Sequence, residues 1–225
     1  MRKFFTLFSL LFAASVLAQE PTDVLDSTEP DLFARDTYRI DTLVCPFRGR
    51  IEYKPGEIEC GLLEVPENRE DPDSRFIELH FIKLNSTGDD EEEEEDEDEE
   101  DSGLEPGKRD DPVIYLTGGP GAAAEYYVNR FKDHGIRKHR DLYILEQRGI
   151  VNSGDYCTTY YSRNPEISNT ATLEEGAKAG VAMSEACARN AMAAGVDYTG
   201  YNTIENARDV KALRVALGFD QWNVW

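Results

Sequence analysis

The amino-acid sequence predicts an α/β protein with a largely parallel sheet. Residues 112–117 and 141–145 are short apolar segments rich in β-forming residues, and each ends in a polar turn that contains glycine. Helix-forming sequence follows them, at about residues 122–131 and 172–194. A third apolar segment, residues 221–225, begins after a further helical stretch. Strands that alternate with helices in this way are typical of an α/β architecture.

Composition limits the class of protein. The chain has 225 residues, with 24 Lys and Arg against 45 Asp and Glu, and its formal charge is −21. This balance excludes a nucleic-acid binder that works through a basic face. Apolar residues make up 40% of the chain and aromatic residues 10%, which is enough for one packed domain.

Thirteen of the negative charges form an unbroken acidic run at residues 89–101, which leaves −8 for the rest of the chain. Adjacent carboxylates repel one another and are too costly to bury. We therefore expect a solvated loop between two strands, within a low-complexity insertion at residues 86–110. Weak binding of divalent cations is the alternative, although calcium loops space their ligands and contain a turn-forming glycine.

The first residues predict export from the cell. Arg2 and Lys3 precede an apolar stretch at residues 4–17, and small residues suited to a signal peptidase end it, so we expect a signal peptide at residues 1–18. No later segment reaches the ~20 apolar residues that a membrane span needs. The expected location is therefore secreted or periplasmic, without a membrane anchor. Residues 19–40, acidic and without a sustained period, predict a flexible leader.

Four cysteines lie in the exported part, where oxidising conditions favour disulfides. Three pairings are possible. We favour Cys45 with Cys60 and Cys157 with Cys187, because sequence neighbours close the shorter loops. A metal site or free thiols are the alternatives. A metal site lacks both a C-x-x-C motif and a histidine near any cysteine, so we expect no metal.

Residues 58–65 and 76–84 predict two strands joined by a polar turn. The apolar residues that share one face of the second strand are Ile77, Leu79 and Phe81. Asn85 follows in an Asn-Ser-Thr sequence, which makes it an N-glycosylation acceptor if the host is a eukaryote that glycosylates.

The clearest helix of the sequence begins after Asn202 or Thr203 and ends at Gly218. Its predicted apolar face consists of Ile204, Ala207, Val210, Leu213 and Leu217. The next apolar strand stops at Trp225, where a terminal carboxylate would be costly to desolvate. We therefore expect this sequence to be the amino-terminal part of a longer protein. The alternative is a complete, non-catalytic acidic protein that binds a partner or cations.

Three separated motifs resemble one family, the proline iminopeptidase and tripeptidyl aminopeptidase group of serine peptidases. Thr117-Gly118-Gly119-Pro120-Gly121 is similar to the family's His-Gly-Gly-Pro-Gly loop, and Glu146-Gln147-Arg148-Gly149 to its Asp-Gln-Arg-Gly. Residues 202–225 resemble the helix and strand that lead to its nucleophile. The resemblance covers about residues 45–225, and exported members often carry a cysteine pair where Cys157 and Cys187 stand.

This resemblance implies the α/β-hydrolase fold, here only its strands 1 to 5 with the intervening helices and without the cap and the later strands. It also implies an oxyanion hole, in which the backbone N–H of Gly119 stabilises the charge that acyl transfer places on a carbonyl oxygen. Gly118, Pro120 and Gly121 complete that loop. A plain tight turn explains the same four residues without any catalytic role.

The family's catalytic serine lies in a Gly-x-Ser-x-Gly turn after the fifth strand, and its acid and histidine follow later. This sequence contains no Gly-x-Ser-x-Gly. His80, His134 and His139 precede the expected position of the turn, and we expect them to be strand or surface residues. The resemblance thus places the triad after Trp225, and the 225 residues alone should be inactive.

Two residues depart from the family pattern, Thr117 in place of His and Glu146 in place of Asp. For Arg148 we expect a structural ion pair rather than a substrate contact. The implied function is cleavage of peptides from their amino terminus through an acyl-enzyme, with a peptide substrate and no cofactor. An esterase or lipase of the same fold is the alternative within this architecture.

Overall fold

A six-stranded mixed sheet organises the computed structural model, which describes residues 38–88, 108–118, 122–154 and 172–225. The strand order in space is β1-β2-β3-β5-β4-β6. All of the described residues belong to one compact unit, Phe33–Trp225. The strands are β1 (Arg39–Leu43), β2 (Ile58–Pro66), β3 (Phe76–Leu84), β4 (Val113–Tyr115), β5 (Leu142–Leu145) and β6 (Asn223–Val224).

The sheet is mostly antiparallel, so the expectation of a largely parallel sheet was wrong. Strands β1, β2 and β3 pair antiparallel in sequence order, and β3 pairs antiparallel with β5. Only β4 pairs parallel, with β5 on one side and β6 on the other. For β2 and β3 the physical reason is their connection at residues 67–75, which is shorter than the crossover of about a dozen residues that a parallel pair needs.

The predicted hairpin is confirmed almost to the residue. β3 has the predicted bounds, and β2 extends one residue further, to Pro66. The predicted face is also confirmed, because Leu79 and Phe81 are buried in one core and Ile77 packs against it. Strand β1 was not predicted, and it begins at Arg39, so its first two residues were assigned to the leader.

The described part of the chain contains three helices, α1 (Glu125–Phe131), α2 (Leu173–Ala193) and α3 (Thr203–Leu217), and α1 and α3 cover opposite faces of the sheet. Ala212 and Leu213 of α3 lie in the core on one face. Val128 and Phe131 of α1 lie in the core on the other face. Because α1 follows β4 and α3 precedes β6, the two connections that involve the parallel strands use opposite faces.

Helix α3 has the predicted ends but not the whole of the predicted face. The Asn202 side chain accepts a hydrogen bond from Glu205 N, and Gly218 ends the helix with φ +80°. Ile204 is 63% exposed, and Ala207 is exposed as well, so the first half of the predicted face was wrong. Glu205 and Asp209 are buried there instead, paired with arginines from other loops.

The predicted pairing of Cys45 with Cys60 is confirmed, and this disulfide joins β2 to the segment after β1. Cys187 in α2 is disulfide-bonded too, while Cys157 lies outside the described residues. The predicted signal peptide at residues 1–18, most of the leader and the acidic run also lie outside them. None of the helices in the described ranges is long and apolar enough to cross a membrane.

Candidate functional site

The carboxyl ends of β5, β4 and β6 meet at one edge of the sheet, because the three strands are parallel. β4 lies in the middle. The chain runs from β4 to its neighbour on one side and later reaches β6 on the other side. Ligands of open α/β sheets bind in the crevice at such a reversal of strand order, outside the carboxyl ends. We call this side of the sheet, where the parallel strands end, the carboxyl edge, and we take it as the candidate site.

The glycine-rich segment predicted to form an oxyanion hole begins at this edge. Thr117 is buried, and the exposed Gly118 has open space where a side chain would lie. Leu116 N donates a hydrogen bond to Trp225 O at 2.9 Å, so the end of β6 runs beside the start of the segment. Gly119, Pro120 and Gly121 themselves lie outside the described residues.

Gln147, the second residue after β5, contacts the start of the glycine-rich segment. Its Nε2 donates a hydrogen bond to the carbonyl oxygen of Thr117 at 3.0 Å. The side chain is partly buried and lines a cavity of about 210 Å³ between this edge and the first turns of α3. The lining is mainly apolar and includes Leu116, Ala207 and Val210. The exposed part of α3 thus faces open space at the candidate site.

Glu146 is fully buried at the end of β5 and accepts two backbone hydrogen bonds. Oε1 accepts from Ala124 N at 3.1 Å, and Oε2 accepts from Asn152 N at 2.8 Å. Burial raises the pKa of Glu146 to about 7, although both amides oppose the shift. The carboxyl group therefore joins the entry to α1 with the loop after β5.

His80 and Ser153 lie beside Glu146, but the three side chains do not form a catalytic relay. His80 Nδ1 is 3.8 Å from Glu146 Oε2, and neither ring nitrogen has a hydrogen-bond partner among the described residues. Ser153 Oγ accepts from His80 N and donates to Glu146 O, so it bonds to backbone rather than to the ring. Burial lowers the pKa of His80 to about 4. His80 is thus a buried strand histidine, as predicted.

The predicted structural ion pair of Arg148 is confirmed. Its guanidinium donates two hydrogen bonds to Asp209, from Nε to Oδ2 at 2.8 Å and from Nη2 to Oδ1 at 2.7 Å. Arg69 donates to Asp209 and to Glu205, and all four side chains are almost completely buried. Arg148 also donates to the carbonyl oxygens of Glu67 and Gly200. These contacts anchor the loop after β5 to α3 and to the end of β2.

A larger cavity, of about 600 Å³, lies at the opposite edge of the sheet, where β4 and β5 begin. Asp141 lines it and accepts hydrogen bonds from Ser86 N and Lys108 Nζ, both at 2.8 Å. Burial opposes ionisation of Asp141, but these contacts outweigh it and lower the pKa. None of the site residues predicted from the family resemblance lines this cavity, so we do not assign the function to it.

Asn85, the possible glycosylation site, follows β3 near this second cavity. Its Nδ2 donates to Gly56 O at 2.8 Å and to Glu59 Oε1 at 2.6 Å. The backbone carbonyl oxygen of Asn85 accepts from the buried Arg137. A glycan on Asn85 would replace one of the two Nδ2 hydrogens and so release at least one of these hydrogen bonds. Glycosylation stays a prediction.

The residues that join the loops of the site could not be recognised from the sequence. Glu146 stood out only as a departure from a family motif, and Ser153 and Arg69 had no evident relation to the site. Within the Glu-Gln-Arg-Gly motif, the sequence does not indicate which distant loops Glu146 and Arg148 contact. One feature of the sequence did point to a buried ion pair: Glu205 and Asp209 lie at positions i and i+4 of the predicted amphipathic helix.

Comparison with protein-family models and with curated proteins found no significant match to this chain. Within the described ranges, no group of three His, Cys, Asp or Glu side chains is arranged to hold a metal ion. The geometry at the carboxyl edge of β4 is therefore the evidence on which a function has to be argued.

Proposed function

We propose that this chain forms the amino-terminal part of a secreted serine hydrolase of the α/β-hydrolase fold, an aminopeptidase of the proline iminopeptidase or tripeptidyl aminopeptidase type. One observation carries the proposal. The middle of three parallel strands leads into the glycine-rich segment at the edge where the strand order reverses. That is the position from which a loop can contact a substrate held in the crevice.

The proposed chemistry requires backbone donors at this loop. In acyl transfer a tetrahedral intermediate carries negative charge on the former carbonyl oxygen, and N–H groups ~3 Å away stabilise it. We assign this role to Gly119 N–H. Pro120 cannot donate, and it restricts the backbone directly after the donor.

The second donor and the nucleophile would come from residues after Trp225 in a longer protein. The Leu116–Trp225 hydrogen bond supports this assignment, because it places the end of β6 next to the start of the loop. A Gly-x-Ser-x-Gly turn continuing from β6 would begin at the same edge. Its serine would then face the same crevice as Gly119.

The peptidase assignment depends on the Gly-Gly-Pro-Gly form of the loop and on the Glu-Gln-Arg-Gly motif, which resemble the aminopeptidase group. The apolar cavity beside Gln147 could accept an apolar group of the substrate. A peptide and an ester can both carry such a group. Substrate assays are therefore part of the test.

The test uses the protein expressed from its complete reading frame, treated with a fluorophosphonate probe and then assayed on three substrates. These are prolyl p-nitroanilide, a tripeptidyl p-nitroanilide and p-nitrophenyl butyrate, with the 225-residue chain as the inactive control. We expect labelling and cleavage of an anilide only in the complete protein. Cleavage of the ester alone would overturn the peptidase assignment. Absence of labelling and of all three activities would overturn the hydrolase proposal.

A further inference from the structure

The two residues that follow β5 contact opposite ends of the glycine-rich segment. Gln147 Nε2 donates to Thr117 O, directly before Gly118. Glu146 Oε1 accepts from Ala124 N, three residues after Gly121. Successive residues at the end of a strand point to opposite faces of the sheet. Neighbours in sequence thereby reach both flanks of one loop.

The contacts of Glu146 involve buried groups. The Ala124 amide is buried, and a buried N–H that loses its acceptor destabilises the fold. Oε2 of the same carboxyl group accepts from Asn152 N, and so one side chain also fixes the loop after β5. The hydrogen bond between Ser153 Oγ and Glu146 O holds the backbone of Glu146 in place.

We propose that Glu146 and Gln147 are positioning residues that hold Ala124 and Thr117, the described residues on either side of the glycine-rich turn. The loop-holding part depends only on the described contacts. The catalytic consequence rests on the proposed function, which assigns the oxyanion donor to Gly119 between these two residues. A displacement of ~1 Å at a reacting centre is enough to cost ~100-fold in rate.

The first experiment measures loop holding without any substrate. Amide hydrogen exchange of residues 116–124 is followed in the protein from its complete reading frame, for Glu146→Gln and Gln147→Met. At pH 8, above the pKa of about 7, the Glu146 carboxylate offers two acceptor oxygens to two amides, whereas glutamine at 146 offers one. Methionine at 147 has no donor. We expect exchange of the Ala124 amide to rise at least tenfold in Glu146→Gln, and exchange of the segment to rise in Gln147→Met.

Two further variants separate positioning from general loss of stability. Glu146→Asp keeps a carboxylate and should restore most of the protection of the Ala124 amide. Asp141→Asn is the matched control, because Asp141 is also buried beside β5 and also accepts a backbone amide, but at the opposite edge of the sheet. Its exchange at residues 116–124 should equal that of the wild type.

The second experiment measures turnover of the same variants. We expect kcat to fall ten- to a hundredfold in Glu146→Gln and Gln147→Met, with KM changed less than threefold, and to stay within twofold in Asp141→Asn. Unchanged exchange at residues 116–124 in both variants would overturn the positioning role. Raised exchange in a complete protein without hydrolase activity would leave loop holding standing and would overturn the proposed function instead. Raised exchange with unchanged kcat would overturn the catalytic consequence.

Discussion

Glu146 and His80 show how burial acts on single ionisable groups at the candidate site. Both are almost completely inaccessible to solvent, and 3.8 Å separates their nearest nitrogen and oxygen. Burial raises the pKa of the acid to about 7 and lowers that of the base to about 4. Each shift favours the neutral form of its group, which is what a medium of low dielectric requires.

These shifts predict opposing effects of pH on stability. Between pH 4.5 and about 7 folded Glu146 keeps a proton that the unfolded chain has lost, so its contribution to stability falls as pH rises. Between about pH 4 and 6.5 the unfolded chain protonates His80 and the folded chain does not, so that contribution rises with pH.

Replacing one of the two groups should leave the effect of the other on how the free energy of unfolding changes with pH. We expect the free energy of unfolding, measured in urea at pH 5, 6 and 7, to rise more steeply with pH in Glu146→Gln than in the wild type. In His80→Leu the free energy of unfolding should rise less steeply with pH than in the wild type, or fall. Parallel profiles in all three proteins would contradict the assigned protonation states.

Arg148 gives a second prediction at the residue scale. Arg148→Met leaves Asp209 buried without its bidentate partner, and breaking such a buried pair costs about 3–5 kcal/mol. The control is Lys178→Met, because Lys178 and Glu174 form a highly exposed pair on α2 that is worth about 0.5 kcal/mol or less. Urea unfolding of the two variants measures both losses. Equal losses would contradict the structural role of Arg148.

At the scale of elements, the sequence predicts best where the pattern is local. The period of two in β3 and the caps of α3 depend on neighbouring residues, and both are confirmed. The sheet direction and the buried half of α3 depend on residues far apart in the chain. Glu205 and Asp209 are buried because Arg69 and Arg148 neutralise them, and no local pattern contains that information.

The same difference between local and distant contacts explains why the loops of the candidate site were predicted only in part. The glycine-rich segment and the Glu-Gln-Arg-Gly motif could be found from their composition. Their connection through Thr117 and Ala124 could not, because each hydrogen bond joins residues more than twenty positions apart.

Two glycines give a matched prediction at this scale. A β-carbon at Gly200 would overlap the carbonyl oxygen of Glu67, which the turn before α3 approaches closely. Gly180 lies inside α2 with open space around it, where alanine is favoured by ~1 kcal/mol. We expect Gly200→Ala to lower the thermal midpoint and Gly180→Ala to raise it. A stabilising Gly200→Ala would contradict the described turn.

At the scale of the whole molecule, β6 is an outermost strand of the described sheet. Val224 is 61% exposed and Trp225 is 45% exposed along it. An apolar strand with free backbone groups is a template for pairing with another chain. We expect the 225-residue chain to self-associate at micromolar concentration in analytical ultracentrifugation. A stable monomer with one cooperative thermal transition would contradict an unpaired apolar edge.

The proposed serine hydrolase depends on a nucleophile held at the edge where β4 and β6 end. The most direct measurement is peptide mapping, by mass spectrometry, of the fluorophosphonate adduct on the protein from its complete reading frame. We expect one modified serine, within the first few residues after Trp225. Modification of a serine elsewhere, or a reading frame that ends at Trp225, would contradict it.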